Sequence, residues 1–172
     1  MTLTNEVTNY LNEFIPKVEA TGIDVSNLNL DHVAYQASSS EDYEKIKPLF
    51  EEVTDYTHEA IVGGRRVGVF KLKQPIFYKG NKIVAIELIE PKEGQICKSA
   101  WEHAEYVLTE DYKEFINKYS DLNWNTSSID RNIYSHLKLQ LDSENQVKFH
   151  LHDILETIKL EEDSTRAAAF DN

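Results

Sequence analysis

Val7, Tyr10, Leu11, Phe14, Ile15 and Val18 recur at three- and four-residue spacing, the pattern of a helix with one buried stripe. Pro16 should kink or end that helix. Further on, apolar and polar residues alternate, and strands are predicted near 31–36, 55–62, 67–73 and 82–89. Between the first two, the serines at 38–40 can cap a helix over 41–50 that buries Tyr43, Ile46 and Phe50, with Pro48 weakening its last turn. Gly63-Gly64 and Gly80-Asn81 read as turns. The same order then returns: a strand at 103–108, a helix at 110–119, an ill-defined strand at 124–129, and strands at 135–141 and 146–151 joined by the turn Asp142-Ser143-Glu144-Asn145. A short helix at 153–162 and a frayed tail from 164 close the chain.

The return is a repeat at residue level. Asp31-His32-Val33-Ala34-Tyr35 matches Glu102-His103-Ala104-Glu105-Tyr106 at an offset of 71. Ser40-Glu41-Asp42-Tyr43 matches Thr109-Glu110-Asp111-Tyr112 at 69, Phe70-Lys71-Leu72-Lys73 matches Leu137-Lys138-Leu139-Gln140 at 67, and Val84–Leu88 matches Val147–Leu151 at 63. An offset that falls steadily is what a duplicated module with shortened loops produces. The expected architecture is α+β: an N-terminal helix (1–25), two tandem βαβββ modules (29–95 and 100–160) forming a cupped, barrel-like sheet, and a short tail (161–172).

Strand parity assigns faces. Val147, Phe149 and Leu151 oppose Lys148, His150 and His152, while Val84, Ile86 and Leu88 oppose Ala85 and Glu87. His32 shares a face with Ala34 and Gln36, and His103 with Glu105 and Val107. Tyr35 and Tyr106 fall on the packing side. Two sheets that curve together would turn the polar faces inward. Polar groups buried there without partners would cost about 1–3 kcal/mol each, so the interior reads as a functional cavity.

Composition narrows the classes. The chain has 30 acidic and 18 basic residues, a net charge of −12, which disfavours nucleic acid as a partner. The single cysteine, Cys97, cannot pair within the chain. No apolar run approaches the roughly 20 residues of a membrane span, and the first ten residues lack a secretory signal, so a cytoplasmic location is expected. Phosphate-loop and dinucleotide fingerprints are absent, as is a serine or cysteine nucleophile motif.

Several segments carry a resemblance: Asp31-His32-Val33-Ala34, Gly64-Arg65 leading to Val69-Phe70-Lys71-Leu72 and Pro75, Glu87-Leu88, Trp101-Glu102-His103, and Lys148-Phe149-His150. Over about 29–159 the sequence resembles the YecM-like family of the vicinal oxygen chelate superfamily, which also holds glyoxalases, extradiol dioxygenases and metal-dependent epimerases. The resemblance implies metal ligands on the first and last strand of each module. Carried over, those positions are His32 and Glu87, then His103 and His150. The last place is often a carboxylate in the superfamily, so the metal and the chemistry do not transfer with the fold.

Three imidazoles and a carboxylate suit one divalent transition metal, Zn, Fe, Mn, Ni or Co, better than Mg or Ca. Glu105 and Lys148 share the inward parity and are the candidate proton-handling and catalytic groups. Arg65, Lys71, Lys138 and His152 are candidate substrate contacts, with Arg65 able to clamp a carboxylate. His58 and His136 are not read as ligands. The expected function is a metal-dependent isomerase, lyase or oxygenase acting on a small oxygen-rich molecule. The alternative is a metal-stabilised binding or sequestering protein without turnover. A homodimer is compatible with the resemblance and unsupported by the residues.

Overall fold

Strands that alternate apolar and polar side chains need full cover on one face only. The computed structural model describes residues 2–170 and gathers seven such strands, among the described residues, into one sheet with four helices. In chain order the elements are α1 (Leu3–Glu19), β1 (Asn29–Gln36), α2 (Ser40–Glu51), β2 (Thr54–Val62), β3 (Arg65–Tyr78) and β4 (Asn81–Ile89). The second half supplies β5 (Ala100–Val107), α3 (Tyr112–Lys118), β6 (Leu137–Gln140), β7 (Gln146–His150) and α4 (Ile154–Phe170). The fold is mixed α+β with an N-terminal helix, as expected.

The sheet order β2-β3-β4-β1-β5-β7-β6 displays the duplication. β1 and β5 lie antiparallel at the centre, and each pairs in parallel with the last strand of its own half, β4 or β7. The halves are not equal. The segment expected as a strand at 124–129 makes a single bridge, Asn125 to Lys138, so the second half is βαββ. Asn125 explains the loss, because its side-chain oxygen accepts from both the amide and the hydroxyl of Ser127, a local turn that competes with a ladder. The stretch up to His136 becomes a loop at the rim of the sheet.

Local chemistry sets the other boundaries. Thr2, Ser39 and Asp111 each cap a helix by accepting an amide three residues on. Pro16 does not end α1, since it sits in the last turn and its carbonyl still receives the Ala20 amide. Gly63 and Gly64, both with positive φ, form the β2–β3 hairpin turn. The next hairpin turns at Lys79-Gly80, one residue earlier than the sequence suggested, with Tyr78 opposite Asn81. The expected tail is also corrected: α4 continues through its polar residues to Phe170.

The convex face carries the core. Val33, Phe70, Ile86, Tyr106 and Phe149 are buried beneath Leu11 and Phe14 of α1, Tyr43 and Phe50 of α2, and Phe115 of α3. The rings of Phe115 and Phe149 meet at 4.8 Å. Each such side chain contributes about 1.5–3 kcal/mol by burial. On the concave face, Ile154 and Ile158 of α4 cover only Val69 and Ala85. Ala34, Val67 and Ile89 form a second small apolar group there, and the polar residues between the two groups enclose the site.

Candidate metal centre

The central strands bring the inward residues together. His32 lies opposite Glu105 across the β1–β5 pairing, and Ala34 lies between Glu87 on β4 and His103 on β5. His32, Glu87 and Glu105 are all buried, and one donor atom from each lies within 4.8 Å of the other two. His32 Nε2 stands 3.7 Å from Glu87 Oε2 and 3.5 Å from Glu105 Oε1. That nitrogen has no hydrogen-bond partner although its residue is fully buried. His103 Nε2 joins the same group, 3.4 Å from Glu87 and 3.0 Å from Glu105.

Both histidines are held from behind by the residue before them. Asp31 accepts from His32 Nδ1 at 2.9 Å, and Glu102 accepts from His103 Nδ1 at 2.9 Å. Neighbours on a regular strand point to opposite faces, so parity hid both acids. The structure breaks parity at these two places. The β1–β5 register skips Asp31 between Leu30 and His32, and skips Glu102 between Trp101 and His103. A β-bulge turns two successive side chains to one side, so each half presents an acid–histidine pair with Nε2 aimed inward. The visible signal was the repeated acidic residue before each histidine.

A register error of two residues also surfaces. The Ala37 amide bonds Ile89 O, and the Leu108 amide bonds His150 O. His32 is level with Ala85, and His103 with Gln146. The counterpart of Glu87 is therefore Lys148 at an offset of 61, whereas His150 matches Ile89. His150 is inward and buried, but it lies beside Asp31, 3.5 Å from Oδ2, on the far side of His32. Its Nε2 is a second buried nitrogen without a partner.

Charge in the centre is closely balanced. Burial opposes ionisation of Glu87, but His32 and His103 hold its carboxyl far below the usual range. Burial likewise opposes Glu105, and Lys148 and His32 outweigh it. His32 is pushed well up because Glu105, Glu87 and Asp31 overcome its desolvation. For His103, burial and Lys148 oppose the charge, while Glu102, Glu105 and Glu87 raise it to about 9. Lys148 donates to Glu105 at 2.7 Å and lies 2.8 Å from His103 Nε2. That nitrogen accepts from Lys148 when the ring is neutral and donates to Glu105 when it is charged. Burial lowers the Lys148 pKa, but Glu105 and Glu87 raise it further, so the side chain is a fixed cation and not a base.

The site opens into a cavity of about 190 Å³. Arg65 and Lys138 line it, as expected. Lys71 does not: it is half-exposed and paired with Asp55 at 3.6 Å. His152 follows the end of β7, where strand parity no longer applies, and is exposed beside Glu156. Two residues that the sequence reading passed over do line the wall, Arg131 and Lys92. His136, set aside as a ligand, also lines it. Its Nδ1 donates to Tyr134 O, and burial together with Lys148 lowers its pKa to about 4, so it is neutral with Nε2 able to accept.

A model of the YecM protein family matches residues 1–162. The chain belongs to that family. Protein YecM of Escherichia coli (strain K12) is 28% identical over 90 residues, 52% of this chain and 48% of that protein. An uncharacterized protein of Haemophilus influenzae is 29% identical over 97 residues, 56% of this chain and 51% of its own. This YecM-family chain thus aligns with about half the length of those curated relatives. A structural-genomics structure, Protein EC4020, has TM-score 0.70 at 21% identity, covering 92% of both chains, and shows that the fold is shared. Among the described residues, no helix is long and apolar enough to cross a membrane.

Proposed function

We propose that the chain is a metal-dependent enzyme of the vicinal oxygen chelate kind, acting on a small oxygen-rich molecule by isomerisation, elimination or oxygenation. The observation that carries this reading is the fully buried, partnerless His32 Nε2 facing two ionised carboxylates. Buried polar atoms are nearly always satisfied, and an exception calls for an explanation such as an absent ion. His32, Glu87 and Glu105 would hold the ion, with His103 as a fourth donor. His150, expected as a ligand, lies with Asp31 and His32 in a second group of buried donors that would suit an ion. Imidazole with carboxylate suits Zn, Fe, Mn, Ni or Co. When bound, such an ion acts as a Lewis acid toward substrate oxygens.

The chain's own groups supply the rest. Asp31 and Glu102 fix the two imidazole orientations. Lys148, a buried cation, stabilises negative charge developing on a substrate oxygen near Glu105. His136 offers a neutral acceptor to a substrate hydroxyl at the wall. α4 excludes water from the apolar end of the cavity.

Elemental analysis of the untagged chain tests the reading. About one equivalent of a transition metal is expected, lost in His32→Ala and Glu87→Gln variants whose circular dichroism is unchanged. No uptake of Zn, Mn, Ni, Co or anaerobic Fe(II) would overturn it. Lys148 favours a second reading, a metal-stabilised binding protein without turnover, because its ammonium is already engaged with Glu105 at 2.7 Å and His103 Nε2 at 2.8 Å, which leaves neither free to move a proton. A ligand bound and recovered unchanged distinguishes the two.

A further inference from the structure

The cavity wall reverses the charge of the molecule. The chain carries 30 acidic against 18 basic residues, yet Arg65, Lys92, Arg131 and Lys138 converge on the wall above the two floor carboxylates. Among the described residues, none of the four has a carboxylate within ion-pairing distance. Lys45, Lys73, Lys79, Lys82, Lys113 and Lys159 also lack a carboxylate partner, but they are exposed and do not share a cavity. Arg66, next to Arg65 but facing outward, pairs with Glu44 and Glu90, and Lys71 pairs with Asp55. Arg65 and Lys138 are half-buried in the wall and Lys92 and Arg131 are exposed at its mouth, so four cations without a carboxylate partner gather on one cavity and favour an anion there.

They are also positioned. Arg65 Nη1 donates to Gln36 Oε1 at 3.1 Å, and Gln36 is itself fixed by donating to Ala37 O and Ile89 O. Arg131 comes from the rim loop of the other half and reaches across the mouth: a methyl group at Gly63 would meet its Nη2 at 3.9 Å. Tyr134 pins that loop by donating to Glu161 on α4 at 2.7 Å, and Tyr112 holds Ser135 O at 2.9 Å. Lys138 is half-buried; burial and then Lys148 lower its pKa, Arg65 and Lys92 add to the effect, and Glu102 opposes it only in part. Ser127, Ser128 and Ser135 line the same wall beside them.

We infer that the mouth of this cavity binds the second acidic group of a small dianionic substrate, a dicarboxylate or hydroxydicarboxylate whose first oxygens reach the floor. A guanidinium takes a carboxylate through two parallel hydrogen bonds, and two guanidiniums with two ammoniums exceed what a monoanion would neutralise. The volume holds on the order of six waters, which limits the ligand to metabolite size. The inference rests on the proposed function for the place of the floor oxygens. The clamp itself depends on Arg65, Arg131 and Lys138.

Calorimetric titration of the full chain, metal-free and metal-loaded, at fixed ionic strength with succinate, acetate and succinamide tests it. Succinate is expected to bind at one site in both forms and at least about tenfold tighter than acetate, with succinamide weaker still. Arg131→Ala and Lys138→Ala should each weaken succinate about tenfold without changing metal content, and Lys71→Ala should leave it unchanged. Metal retention without a preference for succinate, or insensitivity to both clamp variants, would sink the clamp and spare the metal reading. Clamp-dependent succinate binding by a chain that never takes up metal would do the reverse.

Discussion

Replacing Asp31 by Asn isolates the support of His32 from its ligating atom. Asp31 Oδ2 accepts from His32 Nδ1 at 2.9 Å and from the Ile154 amide at 2.8 Å. An asparagine oxygen can occupy the same place, so both hydrogen bonds survive but lose the assistance of the charge. A hydrogen bond to a charged group is worth about 1.5–3 kcal/mol and a neutral one about 1. The metal-free fold should therefore lose about 1–2 kcal/mol, a fall in Tm of roughly 2–8 °C for a chain of this size. Metal affinity should fall further, because a carboxylate behind a ligating imidazole raises its basicity and removing it costs about 10–100-fold. Competition against a fluorescent zinc chelator measures that directly. Glu102→Gln is the matched probe for His103. Loss in Asp31→Asn alone would leave His32 as the only ligating histidine of the pair. Affinity unchanged in both variants would refute the claim that the acid–histidine pairs hold a metal.

Three further outcomes follow from the same geometry. The metal-free protein should be most stable between about pH 4.5 and 6.5: Glu102, lowered to about 2, contributes stability lost as pH falls below its unfolded value, and His103, raised to about 9, contributes stability lost as pH rises from about 6.5 to 9. Urea melts across pH 3–9.5 check this, and a metal-loaded sample should lose the alkaline decline. Gly68→Ala should destabilise by about 1–3 kcal/mol, since its Cβ would lie 2.6 Å from Tyr43 Oη and 2.8 Å from the Phe70 ring; an unchanged melt would contradict that packing. Ile158→Ala should cost about 2 kcal/mol and raise amide exchange along α4 selectively, because Ile158 is one of two buried α4 side chains that pack on Val69 and Ala85.

The fold was legible in the sequence because duplication and alternation are both local signals. Repeated acid–histidine dipeptides and a drifting offset predicted the paired halves before any contact was known. The resemblance pointed to His32 and Glu87, and Glu105 was placed on the His103 face by parity, which holds wherever the ladder is regular. Parity failed where the ladder is not. The bulges at Asp31 and Glu102 depend on how β1 meets β5, a pairing between strands some seventy residues apart that no window along the chain contains. The alignment of Glu87 with His150 in place of Lys148 had another cause. Val84–Leu88 and Val147–Leu151 align well by apolar pattern, and a slip of two preserves parity, so only the hydrogen bonds from Ala37 and Leu108 reveal it. Arg131 was invisible because it lies between the segments read as strands at 124–129 and 135–141, in a stretch given no element and no role.

Lys148 gives the centre its own resident cation. Its ammonium already offsets Glu105, and a protonated His32 offsets Glu87, so the folded interior is near neutrality before any ion arrives. On the proposed reading, folding and metal loading would then be separate events. Unlike a small zinc domain, which acquires its structure from the metal, this chain would offer a socket already folded. On that reading, entry of a divalent ion would exchange for the His32 proton, so occupancy is expected to climb with pH and to release acid into an unbuffered solution. Selection among metals would then fall to the dimensions of a preset cage and not to the free energy of building one.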